Sequence, residues 1–341
     1  MAGKLVERIK RMKGVKKIIR FLDAIYPPGF QGLSLWYVSS FFAEGITRGS
    51  LATRAAAISF RLFLAFFPGI ILLLSLIPHI PIDSFQDNLF GSIRGFFPGD
   101  TFSLFETTLD DLINKKHNAL LSIGFILTIY YASSSINAVL LGFNESYHME
   151  ERGNPIIMRI ASIILIFVLG VIMTVAVSLI IFSGAAFEYL HETGIIGSID
   201  YIPILNFAKW VISLFLIYAV ISTLYNVGNG SRKIKWRFFN VGSTFATTFF
   251  IIASVVFAYF VNNFAQFNKL YGSLGTLMIL LIWLNFNSMI VLLGFDLNTS
   301  IAKAKRQMRL NQIEEEIPEL PISEEVKNTM KNQESNNPFN S

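Results

Sequence analysis

Two arginines, Arg54 and Arg61, sit inside the apolar stretch RAAAISFRLFLAFFPGIILLLSLIPHI of residues 54–80. A bilayer crossing takes about 20 residues, so this stretch is long enough to span. At about 1.5 Å per residue and 3.6 residues per turn, the two stack on one helix face roughly 10 Å apart. A lipid-facing arginine at depth costs at least ~2.5 kcal/mol, so it turns inward to a partner, a cavity or a polar path. Arg54, at the edge of the stretch, has a second option, which is to snorkel to the headgroups. Arg61, two turns deeper, is expected to point inward.

Carboxylates that can answer these charges are few. Asp296 and Glu145 fall at the ends of two other apolar stretches, at the level expected for the arginines. Bidentate pairing neutralises both charges and occupies the guanidinium donors, so Asp296 is the expected partner of Arg61 or Arg54, with Glu145 second. Such a pair has two readings. It either pins two spans together, or it belongs to a polar pocket, open toward the cytoplasmic leaflet, that holds an anionic group. Ser133, Ser134, Ser135 and Asn137, with Asn285 and Asn287, form a second polar layer nearer mid-membrane. Ser and Asn commonly hydrogen-bond between packed helices, and Ser133 and Asn137 can instead line a substrate path. Pro68-Gly69 can kink its span and free backbone carbonyls beside a cavity.

Other chemistry finds little support. The four histidines (His79, His117, His148, His191) lie apart, with no clustered metal-ligand spacing. Neither a nucleophile elbow nor a phosphate-binding glycine loop is present. Asp110 and Asp111 read as solvated residues on an amphipathic surface helix. The basic runs lack an aromatic platform, which disfavours nucleic-acid recognition. With no cysteine in the chain, disulfides and thiolate metal sites are excluded.

The elements that must position these residues follow from composition. The 341 residues are 53% apolar and only 15% charged, against about 25% charged in ordinary soluble proteins; mean hydropathy is +0.53. The expected fold is all-α: a polytopic membrane helix bundle with six transmembrane helices, near 55–80, 119–141, 160–186, 207–226, 241–263 and 274–298. Leu33 to Ala43 is too short to span and lacks a cleavage site, so the first crossing is expected to act as a retained signal anchor.

Lys and Arg fix the expected orientation. Segments 1–20, 142–159, 226–240 and 302–309 carry eighteen, and the alternating segments 81–118, 187–206 and 264–273 carry four. By the positive-inside rule both termini are expected in the cytoplasm. Three regions result: a basic interfacial segment over 1–32, a membrane domain over 33–301, and a cytoplasmic, largely disordered tail over 302–341. Leu33 to Phe42 reads as an interfacial elbow helix, and residues 100–113 as an amphipathic helix on the outer surface. Lys209 and Trp210 fit an interface anchor. The expected partners are membrane lipids with anionic headgroups; oligomeric state is not readable.

The start of span one resembles the opening signature of the YihY/BrkB family of bacterial inner-membrane proteins. A stronger likeness lies in 259–298. There Tyr271-Gly272-Ser273-Leu274-Gly275 is similar to the family's turn, Trp283 to its Trp-bearing last span, and Gly294-Phe295-Asp296-Leu297-Asn298 to its closing motif. Arg54 and Asp296 match family positions, the acid there more often being Glu. Arg61 follows Phe60 where the family usually has tyrosine, and no family role carries over to it; Val241-Gly242-Ser243 replaces the family's Pro-Gly-Ala.

The resemblance implies six spans in a bacterial inner membrane, no cofactor and a loosely defined activity. Family members were once labelled ribonuclease BN, an assignment now regarded as mistaken, and have been linked to serum resistance and envelope lipid handling. Three functions are therefore weighed: a transporter or lipid-handling protein acting on an anionic amphiphile, a structural scaffold of the envelope, and a membrane nuclease. The first expects a groove lined by Arg61, Ser133 and Asn137, the second a tight bundle, and the third a cluster of metal-binding side chains.

Overall fold

The computed structural model describes residues 13–48, 50–76, 117–146, 154–192, 202–228, 237–263 and 273–316, with the single positions 78 and 115. Eight helices run through them: α1 (Lys13–Asp23), α2 (Leu35–Arg48), α3 (Leu51–Leu76), α4 (Asn118–Asn144), α5 (Pro155–Glu192), α6 (Ile202–Gly228), α7 (Val241–Asn263) and α8 (Ser273–Glu316). The last six are each long and apolar enough to cross a membrane. The chain is a polytopic membrane helix bundle, as its hydropathy predicted. The amphipathic helix expected at 100–113, with Asp110 and Asp111, lies outside the described residues, as do Tyr271 and Gly272.

The chain divides into two compact units, 42–299 and 1–41 with 300–341. In the smaller unit Ser34 Oγ donates to the Asp23 carboxylate at 2.6 Å, and Leu33 and Val38 are buried. The segment 302–316, assigned to the irregular tail by the sequence, continues α8 as helix. Ala302, Ala304 and a Lys/Arg/Gln/Leu run (Lys303 to Leu310) are good helix formers, and no glycine or proline interrupts them. At about 1.5 Å per residue α8 is ~66 Å long, roughly twice a hydrocarbon core, so a large part of it extends beyond the apolar layer.

In the larger unit α3 and α4 pack antiparallel. Arg54 reaches Gly142, Ser135 reaches Arg61, and Leu72 lies against Gly124, so α3 and α4 keep one register over about five turns. At Gly124 a Cβ would stand 3.6 Å from the backbone of Leu72, an ordinary van der Waals contact, so the register there does not depend on glycine. Helix α3 runs unbroken through Pro68, which is buried; the missing N–H leaves one carbonyl without its helical donor but does not end the helix. The core collects Ile58, Leu140, Phe143, Leu165, Ile221, Tyr225, Leu292 and Phe295. Large apolar side chains such as Ile126, Ile164, Val171 and Val255 are exposed, the pattern of a surface solvated by lipid rather than water.

Candidate functional site

The residues of interest sit on the buried length of α8 and on the helices around it. From Ser288 to Leu297, Ser288, Ile290, Leu292, Phe295, Asp296 and Leu297 are each buried. Asp296 is 1% exposed. Its Oδ2 accepts from Nη2 of Arg54 at 2.9 Å, and Nη1 of Arg54 donates to the Gly142 carbonyl at 2.8 Å. One side chain thereby ties α3 to α4 and to α8. Gly142 is small for a reason: a Cβ there would press to 3.1 Å from Ile58 Cδ1 and 3.2 Å from Leu292 Cδ2. Phe143, next in sequence, stacks on Phe295 with ring centroids 4.1 Å apart and planes 11° from parallel.

Of the two arginines expected as partners of Asp296, Arg54 takes it. The snorkelling open to Arg54 is not seen: the residue is 3% exposed and its guanidinium is held by the carboxylate. Its helix begins at Leu51, so Arg54 falls in the first turn and its face turns to α4 and α8 instead of the headgroups. Arg61 meets no carboxylate among the described residues. Its Nη1 approaches the Ser134 carbonyl at 3.5 Å, and the residue is half-buried. Glu145, the second expected partner, is exposed at the C-terminal cap of α4.

The mid-membrane polar layer is chiefly a set of helix contacts. Ser133 Oγ donates to the Tyr130 carbonyl in its own helix at 3.0 Å. Ser135 Oγ crosses to the Arg61 carbonyl at 2.8 Å. Asn137 Oδ1 accepts from Ser162 Oγ on α5 at 3.4 Å. Asn285 and Ser59 approach at 3.5 Å between α8 and α3. Arg61, Ser133 and Asn137 are thus all on or against α4, and Arg61 is the charged one, with no carboxylate beside it among the described residues. Trp283 stacks on Phe257 of α7 at 4.5 Å, and Gly275 and Gly294 are buried. Ser273 is the first residue of α8.

A second constellation was not read from the sequence. Tyr218, Ser222 and Asn226 recur every fourth residue along α6 and together fasten the segment 237–240. Asn226 Oδ1 accepts from the Arg237 N–H at 2.9 Å, Ser222 Oγ donates to the Phe238 carbonyl, and the Asn240 N–H donates to Tyr218 Oη at 3.1 Å. Asn240 then caps α7, accepting from the Ser243 N–H at 2.7 Å, while Asn298 of α8 donates to the same Asn240 oxygen and accepts from the Gly242 N–H, each at 2.7 Å. The four-residue polar period on α6 was the available signal. No spacing rule announces that Asn298 would serve as a cap for another helix. Among the described residues no group of three or more His, Cys, Asp or Glu is placed to hold a metal ion.

Comparison with known proteins agrees with this architecture. A family model described as virulence factor BrkB matches residues 42–316. YfkH of Bacillus subtilis (strain 168), whose name calls it ribonuclease-like, is 29% identical over 270 residues, 78% of this chain and 97% of YfkH. A UPF0761 membrane protein of Aggregatibacter aphrophilus is 23% identical over 80% of this chain and 96% of its own length. One of Haemophilus influenzae is 22% identical over 81% and 99%. No solved structure matches the chain.

Proposed function

The chain belongs to the virulence factor BrkB family, and on that premise we propose that it handles an anionic amphiphile in the bacterial inner membrane, with Arg61 as the headgroup contact. The observation that carries this reading is the contrast between the two arginines. The charge of Arg54 is answered by Asp296, and its two terminal nitrogens bond to that carboxylate and to the Gly142 carbonyl. Arg61 is ten residues into α3, about 15 Å along its axis, and among the described residues its guanidinium makes one polar contact, a 3.5 Å approach to the Ser134 carbonyl. An arginine at that depth needs an anion, and in a bilayer the available anions are lipid headgroups and amphiphilic substrates.

The Lys/Arg distribution supports cytoplasmic termini, which sets Arg54, Arg61 and Asp296 in the inner half of the membrane. It also supports the division into a basic surface segment (1–32), a membrane domain (33–301) and a cytoplasmic tail from 302. The Arg54–Asp296 pair favours a second reading, that the protein is an envelope scaffold, because a buried ion pair of this kind holds helices in place without moving anything.

Reconstitution into liposomes carrying a fluorescent anionic lipid separates the two. The proposed function expects transbilayer movement above that of empty vesicles, and its loss in Arg61→Ala. Movement no faster than in empty vesicles favours the scaffold.

A further inference from the structure

A third arginine comes to the same turn of α4. Arg159 is the fifth residue of α5, where a long cationic side chain ordinarily reaches outward to the headgroups. Instead its guanidinium carbon lies 5.9 Å from the centroid of the Tyr130 ring, within cation–π range. Tyr130 is fourteen residues before the end of α4, about 21 Å along the helix. Ser134, whose carbonyl Arg61 approaches, is one turn from Tyr130 on the same face. Helices α3 and α5 both pack on α4, so each delivers a half-buried guanidinium to the Tyr130–Ser134 turn.

Neither arginine meets a carboxylate among the described residues. Two like charges brought toward one helical turn in a low-dielectric layer repel, and an anion between them converts that repulsion into attraction on both sides. A carboxylate has only two oxygens, which two guanidinium forks would have to share. A phosphate offers more acceptor oxygens and can take two forks at once.

Resting on the reading of Arg61 as headgroup contact, we propose that Arg61 and Arg159 together hold the phosphate group of an amphiphile at the Tyr130–Ser134 turn of α4. Arg159 is then a specificity residue: it selects phosphate over carboxylate headgroups.

The test is binding to the full-length protein in dodecyl maltoside, a host without phosphate, read by native mass spectrometry. Three probes are titrated: dioleoyl phosphatidic acid, oleate and inorganic phosphate. Wild type is expected to prefer phosphatidic acid to oleate, and Arg61→Ala and Arg159→Ala each to weaken it by about tenfold. If both grip one phosphate, the double variant loses less than the product of the single losses. Arg159→Lys keeps a charge and is expected to keep part of the affinity.

Unchanged binding in Arg159→Ala, with Arg61→Ala impaired, overturns this inference and leaves the role of Arg61 standing. Unchanged binding in both overturns both. Equal affinity for oleate removes the phosphate selectivity, and displacement of the lipid by millimolar inorganic phosphate removes the requirement for an amphiphile.

Discussion

Gly242 of α7 and Gly294 of α8 meet backbone to backbone: a Cβ on Gly242 would collide with the Gly294 carbonyl, and one on Gly294 would lie 2.7 Å from the Gly242 carbonyl. The same Cβ on Gly294 would also strike Tyr225 Oη, which donates to the Val291 carbonyl at 2.7 Å. Small residues at such a crossing let two helices approach closely, the usual way membrane helices gain packing energy in the absence of a water-driven effect. Gly294→Ala is therefore expected to cost about 1–3 kcal/mol, read as a lower midpoint of thermal unfolding in detergent. An unchanged midpoint would mean that the crossing is looser than described.

The Arg54–Asp296 pair is expected to behave as a buried lock. Asp296→Ala leaves a guanidinium in the core without its carboxylate, a loss of about 3–5 kcal/mol. Arg54→Met combined with Asp296→Leu removes both charges and is expected to recover most of that loss. The comparison of single and double variants by thermal unfolding decides it, since an exposed pair would show small effects in all three.

Asn298 caps α7 through Gly242 and Asn240. Asn298→Ala is expected to cost about 1 kcal/mol. The loss should shrink when Asn240 is already alanine, because the two amides share one bond. Additive losses would show that they act separately.

Orientation is accessible because the chain has no cysteine. Lys16→Cys and His117→Cys place single thiols on segments that the charge count assigns to opposite sides. A membrane-impermeant maleimide added to intact spheroplasts is expected to label His117→Cys and to reach Lys16→Cys only after lysis. Labelling in the reverse order would invert the topology.

Much of this architecture was legible in the residues, for specific reasons. Continuous apolar runs have one answer in a bilayer, so the six crossing helices followed from length and hydropathy. Asp296 was readable as an arginine partner because a buried cation needs an acid and few were placed at the right level. Which arginine it would take was not readable. Arg54 and Arg61 share a helix face, and the choice turned on Gly142 presenting its carbonyl to Arg54, a contact 88 residues away in sequence. Arg159 entered only as one charge of the 142–159 connection, and no spacing in the sequence announces its placement over Tyr130. Residues 302–316 were assigned to the irregular tail because their polarity ends the membrane signal, but polarity does not end a helix.

The division of labour between Arg54 and Arg61 is tested most directly by measuring thermal midpoint and anionic-lipid movement on the same reconstituted preparations of Arg54→Ala and Arg61→Ala. The expected result is a crossed pattern: Arg54→Ala lowers the midpoint sharply, while Arg61→Ala keeps the wild-type midpoint and falls to the lipid movement of empty vesicles. A lowered midpoint with wild-type lipid movement in Arg61→Ala would contradict it.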